Sequence, residues 1–355
     1  MGSILNLTPF AVAEAAGKDA EGRGHFMVAV KATYAWTSDG TTRLVESQAV
    51  LEADAFAGDP ASSGLLRATE LTPPKPRVDV LLAGALVFPA AISEIDVTLQ
   101  VGKRLVKTAR VFAKRIWVPA VLRDEVPSRI VPLDRVPIAW EHAFGGTDRQ
   151  DSRCVEMRNP AGSGVTRQPR SLDGMPAPNF EDPRQILKSC NDRPAPMGFG
   201  PVAPHWDPRR RYAGTYDQAW QKSRAPLLPT DFNALFWNVA PTDQQLDLYP
   251  AGELVRLESM TKSRQEAFKL PAFEVPVLFC ARKELHKTVA WVDTITIEPE
   301  ERRFSLVAHA AYAPEPNLLA LRHVVVGKPS RSHLAALESG KPYFGPGAQR
   351  AGVAW

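Results

Sequence analysis

The chain is predicted to be mainly β, with antiparallel sheets in a sandwich- or barrel-like arrangement. Two β-rich halves, residues 1–146 and 253–355, are joined by an irregular central segment, 147–252, that packs on the β core. Three observations lead there. Apolar residues recur with period two near both ends of the chain, as in HFMVAVKATYAW (25–36) and RFSLVAHAAYAP (303–314). Proline makes up 32 of 355 residues and is spread rather than repeated, which favours edges, turns and stiff loops over long helices. The stretch 193–245 is punctuated by proline yet carries Phe199, Trp206, Tyr212, Tyr216, Trp220, Phe232, Phe236 and Trp237, too many large rings for a solvated linker.

In order along the chain, Thr8-Pro9 is a helix-start pattern, and a short helix is expected up to Ala16, stopped by Gly17. Residues 25–36 form a half-buried strand with Phe26, Val28, Val30, Ala32, Tyr34 and Trp36 on one face. Ser38-Asp39-Gly40 then turns the chain into a second, less regular strand over 43–56. The run from Val78 to Phe88 is almost continuously apolar, as in a strand buried on both sides. Ile95, Val97, Leu99 and Val101 alternate with polar residues, and Gly102-Lys103 closes a hairpin whose second strand runs over 104–117.

VPIAWEHAFGG (136–146) reads as extended, so the adjacent Glu141 and His142 point to opposite faces and form no dyad; His142 is expected as a packed or hydrogen-bonded imidazole. Residues 147–192 are a long polar connection. From Glu253 the strands resume in ELVRLESM, FEVPVLFCARKEL, TVAWVDTITIEP and RFSLVAHAAYAP, the last two forming a hairpin. SHLAALES (332–339) is a short helix capped by Ser332 and stopped by Gly340.

Several function classes lose support. A net charge of +4, with no wide basic stripe, gives no footprint for nucleic acid. Cys154, Cys190 and Cys280 are odd in number and far apart, as in plain thiols of a reducing compartment. There is no secretory signal and no apolar run of about 18 residues, so a cytoplasmic chain without a membrane partner is expected. The seven histidines have no metal-ligand spacing, and GSG (162–164) and GFG (198–200) lack the context of a phosphate loop, so no metal and no cofactor are expected.

Two function classes remain. Trp206, Arg209, Arg211, Tyr216 and Trp220 concentrate the residue types that dominate protein–protein contacts, although buried aromatics serve a core equally well. Asp217, Asp231 and Asp243 are candidate paired carboxylates for a hydrolase acting on carbohydrate or peptide; aspartates in such settings also cap turns.

The series KPRVDVLLAG, WEHAFGGTD, NPAGSG, PAPNFEDP, PMGFGPVAPHW, AGTYDQAW, APLLPTDFNALFWNVAPTDQQ and DTITIEP resembles, in composition and order, a bacterial family with a domain of unknown function encoded in type VI secretion gene clusters. The resemblance runs from about residue 73 to 300. It implies a non-catalytic effector adaptor or chaperone that holds a toxic cargo protein and helps load it onto the secretion spike. Strand addition at sheet edges is one physical means of such capture.

Overall fold

The computed structural model describes residues 3–339 apart from 20, 121, 122, 129, 283, 315 and 316. Strands take 42% of the described residues and helices 11%, so the structure is mainly β as its alternation implies.

The first strands are β1 (Ser3–Asn6) and β2 (Ala11–Lys18). The helix expected from Thr8-Pro9 is therefore a strand. Asn6 Oδ1 accepts from Thr8 N and Oγ1, at 2.9 and 2.7 Å, which makes the Thr8 region a turn. The alanines that follow pair along the next strand, and this tertiary pairing outweighs their helix preference. That partner is β3 (Gly24–Trp36), whose Phe26, Val28, Val30, Ala32 and Trp36 face the core as the alternation predicts. The return strand expected over 43–56 is reduced to β4 (Thr42–Val45) and β5 (Ala55–Phe56). Between them side chains take up backbone donors: Gln48 N donates to Thr33 Oγ1 and Leu51 N to Glu70 Oε2. β6 (Leu65–Arg67) pairs with β5.

The apolar run at Val78–Phe88 is two strands, not one. β7 (Val78–Leu82) is buried at every position, and Gly84, at φ +86°, turns the chain into β8 (Ala85–Ile92). β9 (Glu94–Val101) and β10 (Leu105–Phe112) form the expected hairpin, with Gly102 at φ +52° in its turn. The second strand stops at Phe112, and Trp117 opens a separate ribbon, β11 (Trp117–Ala120) with β12 (Arg123–Pro127). β13 (Leu133–Pro137) pairs with β8. Extended geometry does not continue to 146, because Trp140–His142 is a 3-10 turn before β14 (Phe144–Gly145).

Next come β15 (Ser163–Gly164), β16 (Phe180–Glu181), helices α1 (Arg209–Tyr212) and α2 (Gln218–Ser223), and β17 (Gln245–Leu246). The chain then runs through β18 (Leu254–Glu258), β19 (Gln265–Lys269), β20 (Val275–Ala281), β21 (Leu285–Glu298), β22 (Arg303–Tyr312) and β23 (Leu321–Val326). Helix α3 (Arg331–Glu338) starts one residue before the expected cap: Ser330, not Ser332, accepts from His333 N. Its expected stop, Gly340, lies outside the described residues.

A curled sheet runs in the order β1-β23-β20-β21-β22-β3-β2, with β4 on β3, β7 on β21 and β17 on β7. A second sheet, β16-β10-β9-β18-β19, supplies Val97, Leu99, Val255, Leu257 and Phe268 to the same core. The two β-rich halves are joined through both sheets: β3 pairs with β22, β7 with β21, and β9 with β18. Rings bridge the layers, with Phe268 stacked between Trp36 at 4.5 Å and Phe304 at 4.7 Å.

The motif series locks these layers together. Asn159 of NPAGSG donates to the carbonyls of Trp140 and Phe144 in WEHAFGG, and β14 pairs in parallel with β15. Asn179 of PAPNFEDP donates to the carbonyls of Phe112 and Ala113, and His142 Nδ1 lies 2.9 Å from its Oδ1. Glu141 turns away to accept from Gly64 N, so the two neighbours form no dyad. Gln244 joins Val80 O and Phe199 O, and its Oε1 accepts from the buried Lys107. Asn159, Gln244 and Lys107 are buried, and Glu141, His142 and Asn179 half-buried, each with hydrogen-bond partners from another segment, the pattern expected of fold-defining positions.

Candidate functional site

Two places concentrate chemistry, one buried and one exposed. The buried one lies on the outer side of β3, β21 and β22, under residues 46–76. Lys31 Nζ donates to both oxygens of Glu70 at 2.8 and 2.9 Å, and Lys75 Nζ to Asp79 Oδ2 and Thr294 Oγ1 at 2.9 and 2.8 Å. Asp79 also accepts from Asn238 Nδ2, Val239 N and Ala240 N. His309 places Nδ1 2.7 Å from Asp293 Oδ2 and Nε2 2.7 Å from the Glu70 carbonyl. Both partners are acceptors, so both ring nitrogens donate and the ring is an imidazolium.

Burial alone would lower the pKa of His309, but the Asp293 charge and the two hydrogen bonds hold it above its ordinary value. Three cations thus face three carboxylates in a closed layer. The adjoining cavity, about 20 Å³, has the size of one water and is lined by Arg67, Glu70, Lys75, Thr294 and Thr296 together with apolar neighbours. This cluster is a structural clasp.

The exposed place is the lobe of residues 210–237, between the core-facing Trp206–Arg209 corner and Asn238. Its anchor is buried. Trp206 is 1% exposed and meets Trp140 edge to face at 6.2 Å. Arg209 is 7% exposed, donates to Val202 O and Phe236 O at 2.6 and 3.0 Å, and lies over the Phe236 ring. Burial pulls its pKa down to about 10, which leaves it charged. Trp206 and Arg209 were expected at a partner surface; they instead hold the lobe to the body, because a ring and a guanidinium with backbone partners gain more inside than out.

The other three residues named from the sequence do reach the surface. Arg211 is exposed and pairs with Asp207 at 2.7 Å. Tyr216 is 54% exposed and packs on the half-buried Trp220, ring centroids 4.7 Å apart. Asp217 caps α2 through Trp220 N at 2.8 Å, while Trp220 Nε1 donates to Leu227 O. Asp231 accepts from Thr215 N and Oγ1, which ties the two arms of the lobe. Asp243 pairs with Lys107 at the sheet. The three aspartates therefore serve three separate partners, and no carboxylate pair forms among them.

The sequence marks Phe232, Phe236 and Trp237 as part of the folded aromatic stretch but not as contact residues; the three form a second ring group, with centroids 5.4–5.9 Å apart and all partly exposed. Asn233, which caps the turn carrying Phe236 and Trp237 by accepting from Leu235 N, is the local signal that these rings sit on a formed turn. Together with Tyr216 and Trp220 they make a lobe of partly exposed aromatics, with Arg210, Arg211, Lys222 and Arg224 among them. Among the described residues there is no cluster of His, Cys, Asp and Glu able to hold a metal, and no helix is long and apolar enough to cross a membrane.

A family model described as an uncharacterized protein conserved in bacteria, DUF2169, matches residues 21–309, a span that includes the whole motif series and the lobe. No curated protein and no solved structure matches the chain.

Proposed function

We propose, on the premise that the chain belongs to the bacterial family DUF2169, that it is a non-catalytic adaptor of type VI secretion. In this reading it works in the cytoplasm, where it binds a toxic effector and helps load it onto the spike. The observation that carries the reading is the lobe: partly exposed Tyr216, Trp220, Phe232, Phe236 and Trp237 held on a rigid anchor. Aromatic and arginine side chains already ordered before binding give contact area at low entropic cost, which suits a surface that must hold a folded cargo. The order of the motifs along the chain supports the type VI assignment by resemblance.

Co-expression with the toxin and spike protein encoded beside it, followed by size-exclusion chromatography with light scattering, tests the proposal. A stoichiometric complex specific to the matched toxin is expected. Elution of the chain alone, with secretion of the toxin surviving deletion of its gene, would refute it. The competing hydrolase reading needs two of Asp217, Asp231 and Asp243 at one cleft. It draws no support from carboxylates engaged separately by Trp220 N, Thr215 and Lys107.

A further inference from the structure

β2 ends the curled sheet. Its only strand partner is β3, and no backbone group of residues 11–18 donates or accepts on the opposite side among the described residues. Soluble proteins ordinarily blunt such an edge with proline, a bulge, extreme shortness or charged and inward-pointing side chains. β2 relies on the last alone, through Glu14 and Lys18: it is eight residues long and regular in register along its length.

Its side chains are specific. Val28 and Val30 of β3 face the core, and their partners on β2 are Glu14 and Val12, so Val12, Glu14, Ala16 and Lys18 share the inner face. Glu14 and Lys18 have no ion pair among the described residues. An inward carboxylate repels a purely apolar strand and accepts one that brings a cation to the same position. Lys18 is such a cation, two residues beyond Ala16 as Glu14 is two before it. A second copy of β2, antiparallel with Ala16 opposite Ala16, sets Glu14 against Lys18 twice and Ala15 against Gly17 twice. The small residues at the centre leave room for close approach.

We propose that the chain forms a two-fold dimer by edge-to-edge pairing of β2 about Ala16, which joins the curled sheets of two copies into one. The occupant is a second copy because the edge is charge-complementary to itself in this register, and an isologous contact closes at two subunits. The proposal is independent of the adaptor reading, since β2 lies outside the stretch matched by the family and far along the sheet order from the motif-bearing strands β7 and β21.

The test uses the full chain and three variants: Glu14→Lys, Lys18→Glu and the double E14K/K18E, each checked for native melting. Sedimentation across a concentration series is expected to show a dimer for the unaltered chain. Each single variant places like charges opposite one another at two positions and is expected to weaken the dimer roughly tenfold or more. The double variant restores it, and an equimolar mixture of the two single variants forms a heterodimer, since one supplies two lysines and the other two glutamates. A chain that stays monomeric throughout, or a dimer indifferent to all three variants, overturns the proposal.

Discussion

Asp293 reaches His309 because β21 carries one extra residue at that point. The register with β22 shifts between Val292 and Thr294, and Asp293, the bulged residue, sets its carboxylate 2.7 Å from His309 Nδ1. The same carboxylate accepts from Lys75 N, so the bulge ties the strand hairpin to the proline-stiffened segment ahead of β7.

The folded pKa of His309 is raised above its ordinary 6.5. Its contribution is therefore fully present below pH 6.5 and is lost as pH rises through the folded value. Glu70, Lys31, Lys75 and Asp293 are the charged groups around it. Thermal melts at a series of pH values are expected to show Tm falling on the alkaline side for the unaltered chain. His309→Gln is expected to start lower and to lose that slope.

Lys31 is 2% exposed and bound to Glu70 by two hydrogen bonds. Lys31→Met leaves the carboxylate buried without its cation, at a cost of about 3–5 kcal/mol. The double variant Lys31→Met/Glu70→Gln removes the orphaned charge and is expected to recover part of the loss, as read by urea denaturation.

Asn159, fully buried, joins two motifs through Trp140 O and Phe144 O. Asn159→Ala orphans two carbonyls and is expected to cost about 2–4 kcal/mol. Gly145→Ala should be worse tolerated still, since φ is +151° and an added Cβ would stand 2.2 Å from the Asn159 carbonyl oxygen. Limited proteolysis of residues 147–192 reports both losses.

The lobe separates stability from binding. Trp206→Ala empties a packed site and is expected to destabilise by about 3–5 kcal/mol. Tyr216→Ala is expected to stay within about 1 kcal/mol of the unaltered chain while weakening capture of the matched toxin. A Tyr216 variant that binds as before would remove the lobe from the contact surface.

The sequence revealed the strands whose pattern is strict. β3, the β9–β10 hairpin and the β21–β22 hairpin each stand where alternation places them, because one face is buried and the other is not. It could not reveal the bulge at Asp293. Unbroken alternation back from Ile297 and Ile295 would turn Trp291 into the core, yet Trp291 is 71% exposed, while Ala290 and Val292 are buried in its place. Nor could composition separate Trp206 from Tyr216: both lie in one aromatic stretch, and only packing against Trp140 decides which is anchor and which is surface. The alanines of β2 illustrate the same limit, since their partner lies across a turn that local propensity does not register.

The sharing of both sheets between the two ends of the chain has a bearing on synthesis. β3 and β7 emerge early from the ribosome, but their neighbours β22 and β21 arrive more than two hundred residues later. Until then Phe26, Val28, Val80 and Leu82 have no completed core to enter, and at about 5–20 residues per second the wait lasts tens of seconds. Pairings this far apart in sequence favour slow folding with late loop closure, and strand edges left open meanwhile favour contact with other chains.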